Sequence, residues 1–170
     1  MSRTLLDDAF GHHVWATLRL IDACLMLDSE QLGTAVPGTY GSILETMRHL
    51  VGADSWYIFT VSGVRATDFD EDSAALTDLR AATETHGAAW SRLVGADLDA
   101  DLVLVETDED DGYQKHASIG IRLAQALHHG TDHRSQICTA LTSLGVKPPD
   151  IDAWDYGLDD GRVVEVPPTS

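Results

Sequence analysis

His129 and His133 stand four residues apart in the segment AQALHHGTDHRSQICTAL. Four residues is about one helical turn, so on a helix both imidazoles leave the same face, one above the other. That arrangement offers two neutral nitrogens to a single metal ion. A third histidine, His49, lies in an earlier amphipathic stretch, SILETMRHLVGADSWYIF. Three histidines converging from two helices would leave coordination positions for water or substrate, which distinguishes a catalytic centre from a closed structural one.

The elements that must position these histidines follow from apolar periodicity. Phe10, Val14, Leu18, Ile21 and Leu25 recur in steps of three and four and predict a first helix from about Asp7 to Leu27. The turn-rich QLGTAVPGTYGS ends that pattern. Ser42 with Glu45 three residues on makes a capping box for a second helix, carried by Ile43, Met47, Leu50 and Ile58 to about Ser62. A third helix follows the acidic ATDFDED, with Asp72 or Ser73 as its cap and Leu76, Leu79, Thr83, Trp90 and Leu93 as its stripe. Leu102 to Val105 and Tyr113 to Ala117, either side of DEDDG, read as a short β-hairpin. A fourth helix runs from about Ser118 to Leu144 and stops at Gly145, with Pro148 and Pro149 just beyond. The tail DAWDYGLDDGRVVEVPPTS reads as irregular chain that Trp154 and Tyr156 hold against the body. The fold class expected is all-α: one domain over residues 1–170, a four-helix bundle with a hairpin between the third and fourth helices. Such bundles build metal sites from inward-facing side chains.

Eight histidines are present, so the choice among them has to be argued. On the fourth helix, Leu123, Ala126, His129 or Gly130, His133, Ile137 and Leu144 form one stripe, which puts His129 and His133 in the core-facing sector. His128 is one step off, among Gln125, Asp132 and Ser135, on a wetter flank; His129 is assigned to the site and His128 is its alternative. His49 shares a face with Ser42, Thr46, Ala53 and Trp56, whose small members leave room beside the imidazole. A lone histidine on such a face is more often a hydrogen-bonded core residue, so convergence of the two helices is what carries the metal reading. His12, His13, His86 and His116 read as structural or solvated, and Asp132 as a solvated helix residue or a partner for a ligand imidazole.

Composition closes off several classes. With 11 Lys and Arg against 28 Asp and Glu, the formal charge is −17. Phosphate neutralisation needs clustered cations, so nucleic acid is not the expected partner, and the same field disfavours anionic membranes. No apolar run approaches the roughly 18 residues of a bilayer span. MSRTLLDDAFGHH carries acids where an export signal has its apolar run, and a cytoplasmic location is expected. Cys24 and Cys138 lack CxxC partners and read as buried reduced thiols. GxSxG, P-loop, HExxH and dinucleotide fingerprints are absent, and DEDD and DFDED read as solvated loops.

GSILETMRHLVGADSWY, followed about eighty residues later by HHGTDHRSQICTALTSLGVKPPDIDAWDY, resembles the DinB/YfiT-like family of metal-dependent enzymes. This is not the lesion-bypass polymerase that shares the first name. The resemblance runs over essentially the whole chain and includes the early FGHHVWATLRL helix. It implies a bundle of the up-down-down-up type with metal ligands at His49, His129 and His133. Ser135 stands where the family's H-x3-H-R-G-Q-I segment has glycine, a departure that bears on helix packing. The implied cofactor is a divalent ion, zinc or nickel, with iron, manganese and cobalt as further options. The implied partners are a small-molecule substrate, a low-molecular-weight thiol and a second copy of the chain in a homodimer. The leading expectation is a metal-dependent thiol S-transferase. A hydrolase on the same ligands, a non-catalytic metal- or ligand-binding stress module and an interaction protein with core histidines are the rivals. A neutral three-histidine site suits a borderline ion and activates either a thiol or a water.

Overall fold

Three of the four long helices begin where a side chain takes up an otherwise unpaired N–H group. In the computed structural model, which describes residues 3–68, 70–108 and 111–168, Thr4 caps α1 (Leu5–Cys24) and Asp28 caps the short α2 (Ser29–Leu32). Ser42 accepts from the Glu45 N–H, and the Glu45 carboxylate returns to the Ser42 N–H, starting α3 (Ile43–Ser62) with the predicted box. Gly63 ends it with φ 72°, a left-handed conformation that favours glycine. α4 (Leu76–Val94) starts later than expected. Asp70 captures both predicted caps, accepting from the Ser73 hydroxyl at 2.7 Å and the Asp72 N–H at 3.1 Å. The helix therefore begins after Ala75, whose N–H is met by the Asp78 carboxylate at 3.1 Å.

β1 (Val103–Thr107) and β2 (Gln114–Ser118) form the expected antiparallel hairpin, with Val103 opposite Ser118 and Thr107 opposite Gln114. Part of its predicted turn, residues 109 and 110, lies outside the described residues. Ser118 then caps α5 (Ile119–Ser143). The tail departs from the irregular reading: Asp152 accepts from the N–H groups of Trp154 and Asp155 and nucleates α6 (Ala153–Asp159). Tyr156 packs on α1, its ring centroid 5.6 Å from that of Trp15, above Gly11 where any Cβ would meet its hydroxyl. Trp154, two residues earlier, points the other way and is 73% exposed. A helix turns about 200° over two residues, so both aromatics cannot pack inward.

α1 packs chiefly on α4 and α3 on α5, and α3–α4 and α1–α5 contacts close a four-helix bundle. The core divides into two apolar clusters. One gathers Leu20, Ile21, Ile43, Met47, Leu50, Leu79, Ile137 and Leu141. The other gathers Phe10, Ile58, Trp90, Val94, Ile119 and Leu123. Most of the buried polar residues of the long helices fall between them: His13 and Thr17, Asp54, Thr83 and His86, and His133 with Arg134, whereas Thr46 and Arg122 lie beside the two clusters. The bundle thus has a polar layer at mid-height, and the histidine cluster forms the α3–α5 flank of that layer. Among the described helices none is long and apolar enough to cross a membrane.

Candidate metal centre

His49 on α3 and His129 and His133 on α5 come together as the stripes require. The Nε2 atoms of His49 and His129 are 3.1 Å apart, as are those of His129 and His133. One ligand atom from each of the three lies within 4.8 Å of the others. Tetrahedral ligands at zinc–nitrogen distances stand about 3.3 Å apart, so the spacing fits a shared cation. His128, the alternative, is exposed. Asp132 is exposed too, and its charge favours protonation of both His129 and His133.

The surroundings favour neutral imidazoles. Burial, reinforced by the repulsion of His133 and His49, pushes the His129 pKa down to about 4. Burial likewise lowers that of His133 against the pull of its Gln136 hydrogen bond. Neutral rings at pH 7 have free lone pairs, as ligation demands.

Partners outside the cluster fix which nitrogen points inward. His133 Nδ1–H donates to Gln136 Oε1 at 3.0 Å, which leaves Nε2 as the acceptor. The same Oε1 accepts the Tyr40 N–H at 3.0 Å. Tyr40 is thereby held with its ring stacked on His49, centroids 4.1 Å apart and planes at 8°. His49 Nδ1 faces Glu71 Oε1 at 3.4 Å, a carboxylate–histidine pairing that aims Nε2 at the cluster. Glu71 gets there by crossing Gly52, where a Cβ would lie 2.2 Å from its Oε2. Sequence reasoning missed Gln136, Tyr40 and Glu71. Only Gln136 had a visible signal, its i+3 spacing from His133. Glu71 belongs to the acidic run read as solvated, and at 45% side-chain exposure it is solvated on one side only.

A cavity of about 450 Å³ opens beside the cluster, lined by His49, Ala53, Ser55, Trp56, Tyr57, Arg65, Thr67, Glu71 and His129 among others. The small Gly52 and Ala53 give it the room expected on the His49 face.

Behind the cluster lies Asp54, 6% exposed. Its Oδ1 accepts from His13 Nε2–H at 3.0 Å and its Oδ2 from Trp90 Nε1–H at 3.0 Å. Arg134 donates to His13 Nδ1 at 3.2 Å and to Thr17 Oγ1 at 3.1 Å. A guanidinium only donates, so His13 carries its proton on Nε2. Burial opposes the charge on Asp54, yet the imidazoles of His13 and His86 outweigh it and hold the carboxyl below the usual range. Burial lowers the Arg134 pKa to about 10. Both cysteines are free; burial pushes the Cys24 thiol up to about 12 and raises that of Cys138, so neither is a thiolate nucleophile.

The bundle is similar to that of YfiT from Bacillus subtilis, described as a probable metal-dependent hydrolase with an unusual four-helix bundle topology. The TM-score is 0.61 at 16% identity, over 86% of this chain and 91% of that one. No curated protein matches the chain. The DinB family model matches residues 1–159, which contain all four bundle helices and all three clustered histidines. By that match the chain belongs to the DinB family.

Proposed function

We propose that the chain is a metal-dependent hydrolase of small molecules, with His49, His129 and His133 as ligands to one divalent ion, zinc or nickel. The observation that carries this reading is the convergence of three Nε2 atoms at 3.1 Å steps with a cavity alongside. Two acceptor nitrogens at that distance repel unless a proton or a cation lies between them. One proton on His129 satisfies one neighbour; a cation satisfies all three.

A divalent ion in such a neutral, open site lowers the pKa of a bound water towards neutrality and polarises a substrate oxygen. The chain's own residues do the rest. Gln136 and Glu71 hold Nδ1 of His133 and His49 and so aim the Nε2 atoms at the cluster, and Tyr40 covers one face of His49. Trp56 and Tyr57 give the cavity apolar walls, and its charged lining mixes Arg65 with the carboxylates of Asp68 and Glu71.

Thiol S-transfer, the leading expectation from sequence, uses the same ligands with a low-molecular-weight thiol in place of water. The likeness to YfiT moves hydrolysis ahead of it. A homodimer and a cytoplasmic setting, which suits the free Cys24 and Cys138, belong to the same proposal. The test is turnover of activated esters and amides by zinc- or nickel-reconstituted protein, with and without added thiol. Hydrolysis that rises on reconstitution, falls back to the metal-free rate with chelator and is indifferent to thiol supports the proposal. Turnover only with thiol, yielding the S-conjugate, replaces it with the transferase.

A further inference from the structure

We propose that Thr67 is a base-activated hydroxyl that accepts an acyl group from an activated ester bound in the cavity beside the histidine cluster. The assignment needs no metal. Thr67 Oγ1 lies 2.7 Å from His86 Nε2, and His86 Nδ1 faces Asp54 Oδ2 at 3.6 Å. Hydroxyl, imidazole and carboxylate thus stand in the order of a nucleophile, its base and the group that orients the base. Thr67 lines the cavity, whereas His86 is fully buried behind it.

Electrostatics decides the direction of the hydrogen bond. His86 Nδ1 is buried and makes no hydrogen bond of normal length. A lone pair there would face an ionised carboxylate across 3.6 Å, whereas an N–H dipole is attracted to it. The favoured tautomer therefore carries the proton on Nδ1 and leaves Nε2 to accept from the Thr67 hydroxyl. A histidine present only to anchor the loop would satisfy both nitrogens. Here the second is held short of its partner, and hydrogen bonds of this kind tighten when charge develops.

In the reaction, Thr67 Oγ1 bonds to the acyl carbon while its proton passes to His86 Nε2, and the ester C–O bond breaks to release the leaving alkoxide or phenoxide. The imidazolium is stabilised opposite Asp54 and then gives its proton to the leaving group or to solvent. Water attacking the acyl-threonine, with His86 again taking the proton, breaks the acyl bond and restores the hydroxyl. Ser55 Oγ, 3.2 Å from Thr67 Oγ1, donates to the Thr67 carbonyl at 3.3 Å and would turn from that bond to meet the developing oxyanion, and Arg65 lines the same wall.

The probe is p-nitrophenyl acetate with the full chain after chelator treatment, read by intact-mass and peptide mass spectrometry. The expected result is acetylation at Thr67, retained in Thr67→Ser, absent in Thr67→Val and slowed at least about 100-fold in His86→Gln. No acetyl group on Thr67, or an undiminished rate in a folded His86→Gln chain, overturns the proposal. Should His86→Gln fail to fold, long-range ¹H–¹⁵N NMR of the wild type decides the tautomer. Protonation at Nδ1 supports the relay, and protonation at Nε2 overturns it. Because the metal-free chain is tested, failure here leaves the metal-centre proposal standing, and the reverse also holds.

Discussion

His129 Nε2 lies 3.1 Å from His49 Nε2 although 80 residues separate them in the chain. That proximity is the product of two helices, α3 and α5, whose apolar stripes bury against each other and bring a polar position of each to the same height. Capping, periodicity and burial all serve one outcome, three acceptor nitrogens with a shared focus.

Gln136 is the cheapest place to disturb that focus without touching a ligand. Its Oε1 holds both His133 Nδ1–H and the Tyr40 N–H. Gln136→Leu should weaken metal affinity by about 10–100-fold while the melting temperature of the metal-free chain changes little. Competition titration against a chelator of known affinity measures it. An unchanged affinity would mean that the hydrogen bond does not orient His133.

The lowered histidine pKa values have a consequence for stability. His129 titrates at about 4 in the folded chain against an ordinary value of 6.5, and His133 is also depressed. As pH falls below about 6.5 the unfolded chain takes up these protons before the folded one does. The metal-free protein should therefore lose stability from pH 6.5 down to about 4, with no change from this source above pH 7. Thermal melts of chelator-treated wild type and His129→Leu at pH 7 and pH 5 compare the slopes. The wild type should fall further, and equal slopes would contradict the assignment.

Gly130 tests the polar layer behind the site. A Cβ there would lie 2.3 Å from His13 Cε1, and that ring cannot step aside, being tied to Asp54 and Arg134. Gly130→Ala should cost roughly 1–3 kcal/mol in urea denaturation, despite alanine's better helix propensity. A stabilised variant would show that His13 is free to move.

Much of this could be read from residues alone, and the reasons are local. The i, i+4 spacing of His129 and His133, the Ser42–Glu45 box and the stop at Gly145 are short-range patterns, and periodicity sufficed to prefer His129 over His128. What escaped depends on partners distant in sequence. Glu71 looks like any acid in DFDED until α3 offers Gly52 beneath it. Asp54, His13 and His86 sit on three different helices, and only their common depth in the bundle makes them one layer. The late start of α4 came from Asp70 capturing the predicted caps, and the outward turn of Trp154 from the helix that Asp152 nucleates, neither of which composition ranks.

The central claim is that His49, His129 and His133 hold one divalent ion. Elemental analysis of tag-free protein, alongside His49→Ala and His133→Ala, tests it most directly. About one equivalent of zinc or nickel per chain is expected in the wild type, with loss from both variants while their helical circular dichroism is retained. Wild-type protein that stays empty after purification without chelator and after reconstitution, or variants that keep a full equivalent, would contradict it.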